Sequence, residues 1–126
     1  MASTIGFKVA GPTYALSVAN TAHAAVAVLP AQNGELVNYA SFLNTGATVI
    51  AVTLAPLPAS GTPTTTVLVF PVDGTPTVPM SFILPASMQV PLYVSVPNAN
   101  GGFSVSAIGS AAGPSIFYVT PVVPVG

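Results

Sequence analysis

Few side chains in this sequence could carry out acid–base or nucleophilic chemistry. The chain contains one histidine, His23, and two carboxylates, Glu35 and Asp73. A two-carboxylate glycosidase would have to pair Glu35 with Asp73, and a Ser-His-Asp triad would need His23, Asp73 and a serine. Asp73, however, begins an Asp-Gly turn and Glu35 follows an Asn-Gly turn, where such residues usually serve the turn itself. His23 lies in an alanine-rich stretch, and no Gly-x-Ser-x-Gly segment marks a nucleophilic serine. The sequence therefore predicts that the protein is not an enzyme.

Metal and cofactor sites are equally poorly supported by the sequence. Cysteine is absent, so neither a thiolate metal site nor a disulfide is available. One histidine and two separated carboxylates fall short of a dedicated zinc site, and one acidic residue per loop is weak for calcium. The Gly101-Gly102 pair could suggest a phosphate-binding loop, but it lacks the lysine and the following helix that such a loop needs. We interpret it as a hairpin loop and predict no cofactor.

Charge is the most unusual feature of the composition. Only 2% of the residues are charged, against about 25% in an ordinary soluble domain. Hydrophobic residues make up 52% of the chain, and near-zero net charge favours association. We therefore expect much of the surface to be covered in an assembly, by copies of this chain or by other protein. A single lysine argues against direct binding to nucleic acid, which needs clustered cations.

A membrane-spanning helix is not predicted. Such a helix needs about 20 mostly apolar residues in a row. The longest apolar runs, Ala24 to Ala31 and Val67 to Val72, are much shorter and each contains a proline. We therefore expect no membrane partner.

Turn-forming residues predict an all-β protein. The 126 residues contain 14 prolines and 11 glycines, which punctuate the chain at short intervals and leave little room for helices. Short strands between such turns are typical of a single-domain β-sandwich or barrel. The predicted turns are at Gly11-Pro12, Asn33-Gly34, Asn44-Thr45-Gly46, Asp73-Gly74, Asn98 to Gly102 and Gly113-Pro114.

Hydrophobic alternation places several of the strands. Strands with one buried face are predicted at Val78 to Leu84, Met88 to Val96 and Phe103 to Ala107. Strands that are apolar on both faces, and so either central in a sheet or covered by a partner, are predicted at Ala47 to Leu54, Val67 to Val72 and Ile116 to Val119. Thr21 to Val28 is alanine-rich but contains β-branched residues, which favours a strand over a helix.

Two prolines and the opening residues carry further predictions. Pro79 and Pro91 lie inside otherwise regular strands, which predicts that those strands are edges or are bulged. Gly11-Pro12 separates residues 1–10, a predicted N-terminal arm, from the sandwich at residues 11–126. Apolar side chains alternate in the arm, and Tyr93 is the best exposed aromatic of its strand. The predicted interface residues are therefore Ile5, Phe7, Val9 and Tyr93.

Two segments carry a resemblance to a known group of proteins. Residues 39–52 read YASFLNTGATVIAV, and residues 103–121 read FSVSAIGSAAGPSIFYVTP. Together they resemble the small all-β decoration, or cement, proteins on the heads of tailed bacteriophages. The resemblance implies a jelly-roll or related sandwich that is made in the host cytoplasm. In the virion it would sit on the outer capsid surface and bridge neighbouring copies of the major capsid protein. Because so few charges are present, we expect docking through apolar contacts and backbone hydrogen bonds, with little sensitivity to salt.

Two other functions remain open at this stage. One is a structural component of a phage tail or fibre. The other is a secreted β-module that binds a ligand or carbohydrate, with Tyr93 as its platform. Exposed sugar platforms or a cleaved N-terminus would favour the secreted module, whereas stoichiometric presence in virions would favour the decoration protein.

Overall fold

Every regular element of the described chain is a β-strand. The computed structural model describes residues 6–30, 37–63, 69–74, 76 and 80–125, and no helix occurs among them. The strands are Gly6–Val9 (β1), Tyr14–Val18 (β2), Val26–Val28 (β3), Tyr39–Asn44 (β4), Ile50–Pro56 (β5), Ser81–Leu84 (β6), Leu92–Ser95 (β7), Phe103–Gly109 (β8) and Ser115–Val125 (β9).

The strands form two antiparallel sheets. In the first sheet the order is β1-β9-β4-β7, and β2 pairs with β9 on the same side as β1. In the second sheet the order is β3-β8-β5-β6. The two sheets pack face to face, which confirms the predicted β-sandwich. The long strand β9 organises the first sheet, since β1, β2 and β4 all pair with it.

The core lies between the two sheets and follows from the alternation of the strands. In β4, Ala40, Phe42 and Asn44 point inward, whereas the residues between them are half-buried. The Phe42 ring meets Phe82 of the second sheet edge-on, with centroids 5.1 Å apart. Phe103 is buried on the inner face of β8. The prediction of a single buried face is wrong for this strand, because Ser104 and Ser106 on its other face are buried too.

The opening strand is interrupted opposite a proline of the central strand. Val9 pairs with Val122 and Tyr14 with Val119, so the four residues 10–13 lie opposite only two residues of β9. Pro121 is one of those two, and its carbonyl accepts a hydrogen bond from Ala10 N at 2.8 Å. In antiparallel pairing the N–H and C=O of one residue point to the same neighbour. The backbone nitrogen of Pro121, which carries no hydrogen, therefore points toward the interruption, like its carbonyl. No residue of β1 or β2 is in register with Pro121, so the missing N–H costs no hydrogen bond of the ladder.

The edge strands agree with the proline pattern. β6 and β7 lie at the free edges of the two sheets, which confirms the edge prediction for both strands. Pro91 immediately precedes β7, while Pro79 lies outside the described residues. Val26–Val28 is a strand, which also confirms strand over helix for the alanine-rich segment. β5 and β9 are flanked by strands on both sides, as predicted from their apolar faces.

Three predicted strands differ in the structure. In the strand predicted at Val78 to Leu84, Met80 lies in a turn with a φ of 63° and is 55% exposed. The described part of Val67 to Val72 is not a strand, and Val69 and Val72 are both exposed. The strand predicted at Met88 to Val96 is shortened to β7, and Val90 is 72% exposed. Its first residues instead bend around the end of β4, where Met88 N donates to Asn44 O at 2.9 Å.

The N-terminal arm also differs from its prediction. Gly6 to Val9 do not stand outside the sandwich, because they form β1 and pair with Val122 to Val125 of β9 in the same chain. Backbone pairing with an adjacent strand satisfies N–H and C=O groups that a free arm would leave to water. Residues 1–5 lie outside the described part of the chain.

Candidate interaction surface

The residues that could perform catalysis do not come together in the described structure. Asp73 is exposed in a turn whose next residue, Gly74, has a φ of 76°. His23 is half-buried, with Nδ1 2.7 Å from Ala24 O and its backbone N–H donated to Ala107 O. Glu35 lies outside the described residues. Among the residues that are described, no three histidine or carboxylate side chains lie close enough together to hold a metal ion, and no helix could span a membrane.

The Asn98–Gly102 loop contains a tight turn between β7 and β8. Asn100 and Gly101 both have positive φ, at 54° and 86°, and Ala99 and Gly102 exchange two backbone hydrogen bonds around them. This is the backbone of a type I′ turn, which favours Asn-Gly at its centre. The Asn98 and Asn100 side chains donate to the carbonyls of Val37 and Leu57, at 2.6 and 2.7 Å. The loop therefore uses its polar groups to tie neighbouring segments. The hairpin interpretation is wrong, because the strands that the loop connects, β7 and β8, lie in different sheets and do not pair.

Asn44 is the most connected polar side chain of the described core. Its Nδ2 donates to Thr48 O at 2.9 Å and to Pro85 O at 3.0 Å. Its Oδ1 accepts from Gly46 N at 3.1 Å and from Ser115 Oγ at 3.0 Å. These partners belong to the ends of strands in both sheets, so one side chain joins the sheets at one end of the sandwich. A fully buried and fully satisfied asparagine is a structural element and not a ligand site.

The outer face of the first sheet carries a cluster of aromatic side chains. Phe7 of β1 stacks on Tyr93 of β7, with ring centroids 4.4 Å apart and planes inclined by 11°. Phe7 also meets Tyr39 of β4 edge-on at 5.6 Å. We call Phe7, Tyr39 and Tyr93 the aromatic patch. Its members come from three strands of one sheet, including both of its edges.

The predicted interface residues fall largely on this face. Phe7 and Tyr93 are in direct contact, and Val9 follows Phe7 on the same side of β1 because side chains alternate along a strand. Val9 is 67% exposed and Tyr93 is 45% exposed. Ile5 lies outside the described residues. Tyr39 is not among the predicted interface residues, because its place in the cluster depends on which strands pair.

The outer face of the second sheet is different, because the chain itself covers part of it. Phe70, from the long connection between β5 and β6, packs against Ala51 of β5 and Ile108 of β8. Ser104 and Ser106 of β8 are buried on this face. Among the described residues, Ser104 Oγ has no hydrogen-bond partner. Of the two outer faces, that of the first sheet is therefore the one with strongly exposed apolar side chains around an aromatic cluster.

Other exposed apolar side chains are spread over the molecule. Besides Val9 and Tyr93, the large ones are Leu29, Val69, Val72, Met80, Ile83, Val90, Leu92, Ile116 and Val125. Scattered apolar residues are normal on protein surfaces. They are less usual where charges that would oppose association are nearly absent.

Comparisons of the chain with protein-family models, with curated proteins and with solved structures gave no match.

Proposed function

We propose that this protein is a non-enzymatic structural protein of a virus particle, a decoration protein that binds the outer capsid lattice and bridges neighbouring capsid proteins. The observation that carries the proposal is the outer face of the first sheet, on which no charged side chain occurs among the described strand residues that point outward. It presents the aromatic patch together with Val9, which is two-thirds exposed. A chain with 2% charged residues has little electrostatic protection against association, so a face of this kind is suited to permanent cover by protein.

The order of the strands supports a jelly-roll version of the sandwich. Counting β1 and β2 as one interrupted strand, the eight strands fall into two sheets of four. In this count β3 to β9 become strands two to eight. The first sheet then has the order one, eight, three, six, and the second sheet has the order two, seven, four, five. This order supports the jelly-roll interpretation, and that architecture is frequent in viral capsid domains. A fold does not determine a function, so the argument depends on the surface and uses the fold only as agreement.

The chemistry of the face indicates how docking would work. Val9 offers an aliphatic side chain, and Tyr93 offers a ring edge with a hydroxyl group, so apolar contact and hydrogen bonding are both available. Tyrosine is enriched in interfaces for this reason. A small contact repeated over a symmetric lattice gains strength from multivalency and needs no ion pairs.

The proposal is tested by sedimentation with capsids purified from the virus whose genome encodes the chain. We expect saturable binding in a fixed ratio to the major capsid protein, with less than about a twofold change between low and high salt, since few charges can be screened. A chain that remains a monomer and does not sediment with these capsids would exclude the decoration role.

A pair of matched variants identifies the binding face. Val9 and Val72 are both valines, 67% and 65% exposed, and only Val9 belongs to the outer face of the first sheet. We expect Val9→Asp to weaken capsid binding by about tenfold or more, because a carboxylate would be buried without a partner. Val72→Asp should leave binding unchanged. Equal loss in both variants would place the contact elsewhere.

The two alternative functions predict different outcomes when virus particles are separated into heads and tails and when glycan binding is measured. A tail or fibre component would be found in tail fractions, at few copies per particle, and would be absent from isolated heads. A carbohydrate-binding module would bind glycans through Tyr93. The Phe7 ring, however, covers one face of Tyr93 at 4.4 Å, which disfavours a sugar platform on that face.

A further inference from the structure

The opening strand is held to its own sandwich by a small set of contacts. Three of the four residues of β1 are exposed, and only Phe7 is half-buried, against Tyr39 and Tyr93. Its backbone pairs over four residues with the last part of β9. Ala10, which follows β1, is buried with Val37 and Val123. Residues 6–10 thus form a compact attachment that is separate from the main core.

A break in pairing separates this attachment from the rest of the sandwich. Ala10 is the last residue before the break to make a backbone hydrogen bond, to Pro121 O at 2.8 Å. Pairing resumes at Tyr14, and Thr13 Oγ1 lies 2.7 Å from Thr120 Oγ1. Gly11 and Pro12 lie in the break, and the residue before a proline is biased toward extended backbone. An extended connection at residues 11–13 is compatible with two positions of residues 6–10: on the sheet of their own copy, or on a neighbouring copy.

Downstream of the break the chain is firmly held. Leu16 and Val18 of β2 are fully buried in the main core, and five residues of β2 pair with β9. Detaching β2 would open the core, whereas detaching residues 6–10 would not. The break therefore divides the opening strand into a fixed part and a part that can be released.

We propose that residues 6–10 exchange between copies of this chain, so that β1 of one copy pairs with β9 of a second copy and its Phe7 stacks on the second copy's Tyr93. All contacts of the attachment are re-formed in the exchanged state, and only the conformation of residues 11–13 differs. Exchange of an identical element is a low-cost route to association. It also gives the predicted arm a defined receiving site, made of Val122 to Val125 with Tyr39 and Tyr93. The inference does not depend on the capsid role, because its only partner is a second copy.

The exchange is tested by disulfide trapping between differently tagged single-cysteine chains. The chain has no cysteine, and Val9 and Val122 are directly paired. We expect a mixture of Val9→Cys chains and Val122→Cys chains to form a mixed disulfide. Its yield should rise about in proportion to chain concentration and become large near the millimolar effective concentrations typical of short linkers. Val122 is only 3% exposed, so collision of unopened chains would not reach it.

A matched pair in the fixed part serves as the control. Ser17 and Ile116 are partners in β2 and β9, and both are exposed. Chains with Ser17→Cys mixed with chains with Ile116→Cys should give no mixed disulfide above the background of unpaired positions. If neither pair reacts, or if both pairs react equally, exchange at residues 11–13 is wrong.

A second measurement requires no substitution. Unlabelled chains and isotopically heavy chains are mixed at high concentration, diluted quickly, and weighed by native mass spectrometry. Exchange predicts dimers of mixed isotope composition that decay slowly after dilution, because β1 must detach again. Absence of mixed dimers at every concentration would overturn the proposal, even if the cysteine variants failed to fold.

Discussion

A single uncharged polar side chain, that of Asn44, links the two sheets of this sandwich at one end. Asn44 makes four side-chain hydrogen bonds from a fully buried position and joins the ends of strands in both sheets. The sequence predicted a turn at Asn44-Thr45-Gly46, and the turn is present between β4 and β5. It could not predict the burial of Asn44, because two of the partners, Pro85 and Ser115, are distant in the chain.

Replacing Asn44 tests this role at the residue scale. We expect Asn44→Ala to lower the free energy of unfolding by about 2–4 kcal/mol, because Ser115 Oγ and three backbone groups would lose their partner inside the protein. The measurement is equilibrium denaturation in urea. Asn20→Ala, at an exposed asparagine, is the matched control and should change stability by less than about 0.5 kcal/mol. Similar losses in both variants would contradict the proposed role.

Gly46 gives a second residue-scale prediction. A Cβ at Gly46 would lie 1.7 Å from Ser115 Oγ and 2.8 Å from Ser115 Cα, so a change of rotamer cannot relieve the contact. We expect Gly46→Ala to destabilise the protein by about 1–3 kcal/mol, as overpacking usually does. Gly113→Ala, where nothing lies within 4 Å, should be close to neutral in the same denaturation experiment. A neutral Gly46→Ala would mean that the turn can move away from β9.

At the scale of elements, proline explains features that strand propensity alone does not. Pro121 faces the interruption of the opening strand, and Pro124 lies two residues beyond Val122, the last residue of β9 that pairs with β4. A central strand can therefore contain two prolines, since neither occupies a position where a ladder N–H is needed. The sequence identified the edges from Pro79 and Pro91. It could not identify this arrangement, because the arrangement depends on where the neighbouring strands end.

The segment Val67 to Val72 shows the opposite limit of the sequence pattern. Its composition is that of a buried strand, yet its described part has no strand partner. Of its described residues, Phe70 packs against Ala51 and Ile108 on the outer face of the second sheet. Apolar composition indicates that a segment contacts other protein, but only the pairing of the sheets decides whether it joins them. The place of Tyr39 in the candidate surface could not be predicted for the same reason. Its register with β7 and β9 depends on how the strands pair, which the local sequence does not show.

The attachment of β1 provides the prediction at this scale. We expect Phe7→Ala to increase amide hydrogen exchange of β1 about tenfold, since loss of an aromatic contact of roughly 1.4 kcal/mol corresponds to that factor. Exchange of β2 should remain unchanged, because its buried side chains do not contact Phe7. Tyr93→Phe keeps the stacking ring and should leave β1 as slow as in the parent chain. Equal acceleration in β1 and β2 would indicate that the opening strand behaves as one unit.

At the scale of the whole molecule, the surface is almost without charge, since only 2% of the residues are charged. Serine, threonine and asparagine supply much of its polarity, while valines such as Val69 and Val90 remain exposed. Such a surface gives little protection against association with other copies. The composition allowed the low charge to be predicted, whereas the difference between an open outer face and a partly covered one required the structure.

Adding charge to this surface should change solubility without changing stability. We expect the double variant Val69→Lys with Val90→Lys to be more soluble in precipitation by polyethylene glycol. Its free energy of unfolding should stay within about 0.5 kcal/mol per exposed substitution. The double variant with serine at the same positions separates charge from loss of apolar area. If lysine and serine improve solubility equally, exposed apolar area and not missing charge limits the parent chain.

The position of β9 also has a consequence for how the protein is made. This strand lies in the middle of the first sheet, yet a ribosome synthesises it after β1 to β8. Until β9 has been synthesised, β1, β2 and β4 lack the strand with which all three pair. The second sheet consists of β3, β5, β6 and β8, so all of its pairings can form before β9 is made. Contacts between the first and last parts of a chain are also the slowest to form, because loop closure must come first. We therefore expect the second sheet to assemble first on the ribosome, and the aromatic patch to form only after β9 has emerged and joined the opening strand to β4.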